Sequence, residues 1–185
     1  MKVVNDTPTY INQYFDVTDL PETVWDEKPN TCNVSCVGMI CFLSPDIVLH
    51  DMYRKYRYNT QFQNTQFQWE EHLISYLQEC GHICEPVTKS AWPNARFIKN
   101  SELKKMRKEI DKGKVIFYHK HGHYQLMVGY IKHNNGRYTY IFNDPAGDRR
   151  VQYNYRSRES GHLVGYDSYM VKNEPIYCRC WSVTL

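Results

Sequence analysis

Tyr124-Gln125-Leu126-Met127-Val128-Gly129-Tyr130-Ile131 is an apolar run that ends at the polar turn His133-Asn134-Asn135-Gly136. The chain then returns as Arg137-Tyr138-Thr139-Tyr140-Ile141-Phe142. Two such runs around an Asn- and Gly-containing turn predict an antiparallel hairpin. Val115-Ile116-Phe117-Tyr118 precedes it as another apolar run, and Asn143-Asp144-Pro145-Ala146-Gly147 breaks the return strand. Cys178-Arg179-Cys180-Trp181-Ser182-Val183 alternates like a last strand.

Upstream of Gly113 the apolar period is helical. Val34, Val37, Ile40 and Cys41 recur after Cys32, and Pro45 predicts the stop. Trp69, Leu73, Tyr76, Leu77 and Cys80 form a second stripe, closed by Gly81. Ser101 as N-cap, Leu103, Met106, Ile110 and Gly113 mark a third helix. Residues 1–31, punctuated by Pro8, Pro21 and Pro29, read as irregular, with Thr9-Tyr10-Ile11 as a short strand. The repeated Asn-Thr-Gln-Phe-Gln of residues 59–68 reads as a loop, and residues 84–100 as a connector. Helices followed by strands predict an α+β fold with N-terminal helices packed on one side of a C-terminal antiparallel sheet. No linker divides the chain, so residues 1–185 are expected to form one domain.

Composition narrows the function classes. In 185 residues, 42% are hydrophobic and 23% charged, which argues against disorder and coiled coil. A net charge of +3 is small for a nucleic-acid binder. No run reaches the roughly 20 apolar residues of a membrane span. The opening Met1-Lys2-Val3-Val4-Asn5-Asp6 turns polar at once, so synthesis in the cytoplasm without a signal peptide is expected. Seven cysteines in such a setting are expected to be reduced thiols.

A thiol hydrolase needs a thiolate, an adjacent imidazole and a polar group that orients the ring. Cys32 opens a predicted helix, whose N-terminal partial charge favours the thiolate. His123 opens a strand and Asp144 closes its partner. With a four-residue loop at 133–136, paired residue numbers sum to 269 and Asp144 faces Gln125. His123 is then one diagonal step away, about 7–8 Å between backbones, on the same face. A loop one residue different would turn Asp144 to the other face.

Three blocks carry a resemblance. They are Thr31-Cys32-Asn33-Val34-Ser35-Cys36-Val37-Gly38-Met39, Gly122-His123-Tyr124-Gln125-Leu126-Met127-Val128-Gly129-Tyr130, and Asn143-Asp144-Pro145-Ala146-Gly147. In this order they resemble papain-like cysteine peptidases related to the bacteriocin leader peptidases, a group common among bacteriophage cell-wall peptidases. Gln68-Trp69-Glu70-Glu71 and Trp181 also fit. The resemblance spans roughly residues 10–185. It implies a papain-like fold, Cys32 as nucleophile, His123 as base and Asp144 as orienting residue. Gln13 would be the oxyanion donor, with Asn30 as fallback. It also implies a hydrolase without metal or other cofactor. The implied substrate is a peptide amide, in a stem or cross-bridge peptide of peptidoglycan. The enzyme would work in the host cytoplasm or at the wall after phage-type release.

Other readings stand beside these. Cys36 is the rival nucleophile, and Cys36 and Cys41 otherwise belong to the core. His119, His121 and His123 alternate, and with the pairs 32/36, 80/84 and 178/180 they invite a zinc-stabilised interaction protein. More simply, His119 and His121 fall in a polar loop between strands. A non-catalytic module binding a host factor is a further class. Tyr153, Tyr155, Tyr166 and Tyr169 line a groove or the wet side of a sheet.

Overall fold

A helix whose every side is apolar has to be enclosed, and α1, Cys32–Cys41, is buried from its first residue through Ile40. The computed structural model describes residues 2–4, 10–11, 31–56, 66–120, 122–146 and 163–185. The close of α1 is a left-handed turn at Phe42 (φ 55°), with Leu43 N–H donating to Gly38 O at 3.0 Å. A Cβ on Gly38 would meet the Leu43 carbonyl oxygen at 2.8 Å, so the tight corner requires glycine there.

Pro45, expected only to end this helix, starts another. It is the first residue of α2, Pro45–Tyr56, set at 108° to α1. A proline loses nothing at that position, since its missing N–H would have no helical partner. The second predicted helix is α3, Gln66–Glu79, so residues 66–68 of the repeat are helical rather than loop. Residues 59–65 lie outside the described residues, as does the Trp69 side chain. Leu73, Tyr76 and Leu77 are buried as the stripe requires, but Cys80 is exposed. The third is α4, Asn100–Ile110. Its N-cap is Lys99, not Ser101, because the Glu102 carboxylate accepts the Lys99 N–H at 3.0 Å.

The sheet is built from β1 (Lys2–Val4), β2 (Cys84–Pro86), β3 (Val115–Lys120), β4 (His123–Lys132), β5 (Tyr138–Asn143), β6 (Leu163–Asp167) and β7 (Trp181–Val183). The strand order is β2-β7-β3-β4-β5-β6, with every pair antiparallel. β1 also pairs antiparallel, on β4 at Gly129–Ile131, beyond the reach of β3. Residues 1–31 are therefore not wholly irregular, and the 84–100 connector contributes β2. The expected Thr9-Tyr10-Ile11 strand does not form at residues 10 and 11, and Thr9 lies outside the described residues. The last strand starts at Trp181 rather than Cys178.

Both faces of the sheet are covered. Tyr124, Leu126 and Val128 of β4 pack with α1, α2 and α3. Met127 and Tyr130 pack with α4 and with Val171 of α5, Ser168–Asn173. The expectation of helices on one side only is corrected here. Burial on two faces is what gives the strands continuous apolar runs instead of alternation. The architecture is α+β, with an antiparallel sheet between two helical layers. Among the described residues no single helix is long and apolar enough to cross a membrane.

Register decides where the ends of the hairpin meet. Lys132 pairs with Tyr138, so the loop runs over 133–137 and is one residue longer than expected. Pairs from Lys132 to Gly129 follow that longer loop. A bulge between Met127 and Gly129 then absorbs one residue of β4, and Met127 pairs with Phe142. Asp144 thus ends opposite Gln125 after all, because the longer loop and the bulge cancel.

The C-terminal strand is tied to α3 by Glu70. Its side chain is wholly buried and accepts from Trp181 Nε1 at 2.7 Å and Arg179 N at 3.1 Å. Glu70→Ala is expected to lower stability by about 1–3 kcal/mol in urea unfolding, because it empties a buried site and leaves the partly buried indole N–H and the Arg179 N–H without their acceptor. Glu70→Gln keeps an oxygen there and should cost clearly less. Equal losses in the two variants would remove this tie from the account.

Candidate active site

Cys32 is the first residue of α1, so its thiol sits where the helix dipole is positive. The first turn is held by Ser35 N–H donating to Thr31 O at 3.0 Å. Opposite lies the start of β4. The Tyr124 backbone N–H donates to Cys32 Sγ at 3.4 Å, and the His123 imidazole is close enough to act electrostatically on the same sulfur. His123 Nε2–H donates to Asp144 Oδ1 at 2.6 Å, which leaves Nδ1 for the thiol. The three residues named from the sequence are therefore brought together in one site, Asp144 hydrogen-bonded to His123 and His123 acting on Cys32.

Asp144 is completely buried and has four hydrogen-bond partners among the described residues. Besides His123, the Ala146 N–H donates to Oδ1 at 2.9 Å. Gln125 Nε2 donates to Oδ2, and Tyr10 Oη–H donates to the backbone carbonyl at 3.0 Å. Gln125, itself buried, is the member that sequence motifs did not flag. The register arithmetic placed it opposite Asp144, but nothing in the residue pattern singled out its amide. The Tyr124 N–H was equally invisible, since any residue supplies one.

The electrostatics follow from burial against pairing. Burial pushes the Cys32 thiol up, but the His123 charge, its hydrogen bond and the Tyr124 N–H outweigh it, and the value falls below the ordinary one. Burial pushes His123 down, but the charges of Asp144 and Cys32 prevail and raise it to about 9. Burial pushes Asp144 up, yet His123 and the amide donors bring it below the usual carboxylate range. The three shifts act in the direction of the charged forms, thiolate, imidazolium and carboxylate. Those forms supply a nucleophile and, directly beside it, an acid.

The remaining candidates fall elsewhere. Gln13, Asn30 and His121 lie outside the described residues. Cys36 is fully buried one turn deeper in α1, and burial holds its thiol well above the ordinary value. His119 is not in a loop. It belongs to β3, buried, with its ring 4.3 Å from that of Tyr124. Among the described residues no three of His, Cys, Asp and Glu gather as a metal-binding group. Tyr166 is not on a wet face but packs edge-on against Phe142 at 5.5 Å, while Tyr169 is exposed on α5. Tyr153 and Tyr155 lie outside the described residues. No protein-family model, curated protein or solved structure matches this chain.

Iodoacetamide at about pH 6 should label Cys32 ahead of Cys36, Cys41, Cys84, Cys178 and Cys180, because burial raises the thiols of all five. In Gln125→Leu the Cys32 labelling profile should move to higher pH, as Asp144 loses a donor and holds the imidazolium less well. An unmoved profile would reduce Gln125 to core packing.

Asp144 also fixes a pH dependence. Its folded value lies below the unfolded one, so the stability it contributes is present above about pH 4 and is lost as pH falls through the folded value. The stability gap between the wild-type chain and Asp144→Asn in urea should therefore be wide at neutral pH and shrink toward about pH 3. A gap that stays constant would place the carboxylate outside the ion pair.

Proposed function

We propose that this chain is a papain-like cysteine peptidase or amidase that hydrolyses a peptide amide bond, with a stem or cross-bridge peptide of bacterial peptidoglycan as its substrate. The observation that carries the reaction class is the array Cys32–His123–Asp144, with the thiol at a helix N-terminus and a 2.6 Å bond fixing the imidazole. The substrate class comes from the resemblance of the Cys, His and Asp blocks to wall peptidases of bacteriophages.

In this reading Cys32 Sγ attacks the scissile carbonyl and forms a C–S bond. The negative charge that develops on the carbonyl oxygen is met by the Cys32 backbone N–H at the start of α1, where helical N–H groups lack intrahelical acceptors. Gln13 is the expected second donor. As the tetrahedral adduct collapses, His123 gives its proton to the leaving amine, and a thioester remains. His123, now neutral, takes a proton from water. The hydroxide adds to the thioester carbonyl, and Cys32 leaves as thiolate with His123 again protonated. Throughout, Asp144 holds the ring by Nε2, and Gln125 and the Ala146 N–H hold Asp144.

Mass spectrometry of purified peptidoglycan incubated with the protein tests both levels of the proposal. New amine and carboxylate ends at one peptide linkage are expected, and none with Cys32→Ala. His123→Ala should lower turnover by about 10²–10⁴-fold. Asp144→Asn should cost less than Asp144→Ala, since an amide oxygen still accepts from the ring. Intact wall peptides despite a reactive Cys32 would overturn the substrate. An active Cys32→Ala would overturn the mechanism.

A further inference from the structure

We propose that Cys36 is a resolving thiol for Cys32. Oxidation by a hydroperoxide would then end in a Cys32–Cys36 disulfide that switches the site off reversibly. The inference rests on the reading of Cys32 as a reactive thiolate and adds a form of regulation to the same site.

The helix supplies the geometry. Cys32 and Cys36 are four residues apart at the start of α1, hence on one face. A rise of about 1.5 Å per residue puts their Cα atoms about 6 Å apart, inside the span that disulfides bridge. The next cysteine of the helix, Cys41, is nine residues from Cys32 and about 13 Å along the axis, beyond reach. Cys36 is wholly buried, and burial with the negative charges of Cys32 and Asp144 keeps it a thiol while Cys32 is a thiolate; conversion of Cys32 to a neutral sulfenic acid removes one of those charges.

The chemistry balances. The Cys32 thiolate attacks the hydroperoxide, the O–O bond breaks, and Cys32 becomes a sulfenic acid while the peroxide leaves as alcohol or water. Cys36 sulfur then attacks the Cys32 sulfur. The S–O bond breaks, and hydroxide departs with the Cys36 proton as water. Two thiols have lost two electrons, and the hydroperoxide has gained them.

The disulfide would be strained. Neighbouring Cβ atoms on a helix face lie about 5–6 Å apart, whereas bridged ones lie at about 3.5–4.5 Å. Closure must tighten the first turn of α1, away from the geometry that the Ser35–Thr31 bond now holds. Strained disulfides are the easily reduced ones, which suits a reversible state. With both sulfurs joined, Cys32 can neither attack a carbonyl nor be oxidised further.

The test treats the full chain with hydrogen peroxide, then follows Cys32 by iodoacetamide labelling and intact-mass fragmentation. The wild-type chain should lose about 2 Da, show no backbone fragments between residues 32 and 36, and regain full labelling with dithiothreitol. Cys36→Ser, and Cys36→Ala as a second variant, should instead give a dimedone-trappable sulfenic acid and then a sulfinic acid that dithiothreitol does not reverse. Labelling before peroxide should be unchanged in both variants. Normal labelling before peroxide with irreversible oxidation of the wild-type chain, or a bridge to another cysteine, overturns this proposal alone. A Cys32 that fails to label before peroxide overturns it together with the thiolate reading.

Discussion

The bond from His123 to Asp144 depends on one extra residue in β4. Without the bulge between Met127 and Gly129, the register set by the hairpin loop would run on, and Asp144 would face Leu126. Its carboxylate would then point to the opposite side of the sheet from His123 and Gln125. The bulge turns the last pairs by one step, so the strand end delivers Asp144 to the imidazole. Orientation of His123, and through it the state of Cys32, follows from this local irregularity. Bulges of this kind re-aim side chains at strand ends, and here the re-aimed group is the one that organises the site.

Burial then gives the arrangement its electrical character. Isolated in this interior, each of the three groups would favour its neutral form. Together they favour charges, because each sits beside an opposite charge and Asp144 has amide donors on both oxygens. Breaking any one member leaves a buried charge without compensation, which is far more costly than never placing it there. Cys36 shows the contrast. It occupies the same helix and the same interior, but burial and the negative charges of Cys32 and Asp144 push its thiol up, and it stays protonated.

The rest of the molecule holds α1 against the start of β4. α1 is enclosed by α2, α3 and one sheet face, so its N-terminus has little freedom to move away from Tyr124. α4 and α5 cover the other face and keep water from β3, β4 and β5. The Glu70 contacts with Arg179 and Trp181 close β7 onto α3, which fixes one edge region of the sheet relative to the helical layer.

Much of this was legible in the residues. Period-3.6 patterns marked α1, α3 and α4, and apolar runs bounded by turn residues marked the β3–β5 strands, since both signals are set by local geometry. The Cys, His and Asp blocks marked the three site residues. Other features were hidden for physical reasons. Pro45 starts α2, and the missing N–H that suits a first helical position is the same feature that reads as a helix stop. β1 and β2 are three residues each, too short for a period to show. Covering of both sheet faces was written in the unbroken run Val115-Ile116-Phe117-Tyr118, but a short apolar run by itself does not say what covers it. The sequence by itself determined which residues can do thiol chemistry and that helices precede an antiparallel sheet. Only the tertiary structure decided that Asp144 meets His123 through a bulge, that Gln125 holds it, and that Cys32 lies against Tyr124, because strand register and burial are properties of the assembled sheet rather than of any one segment.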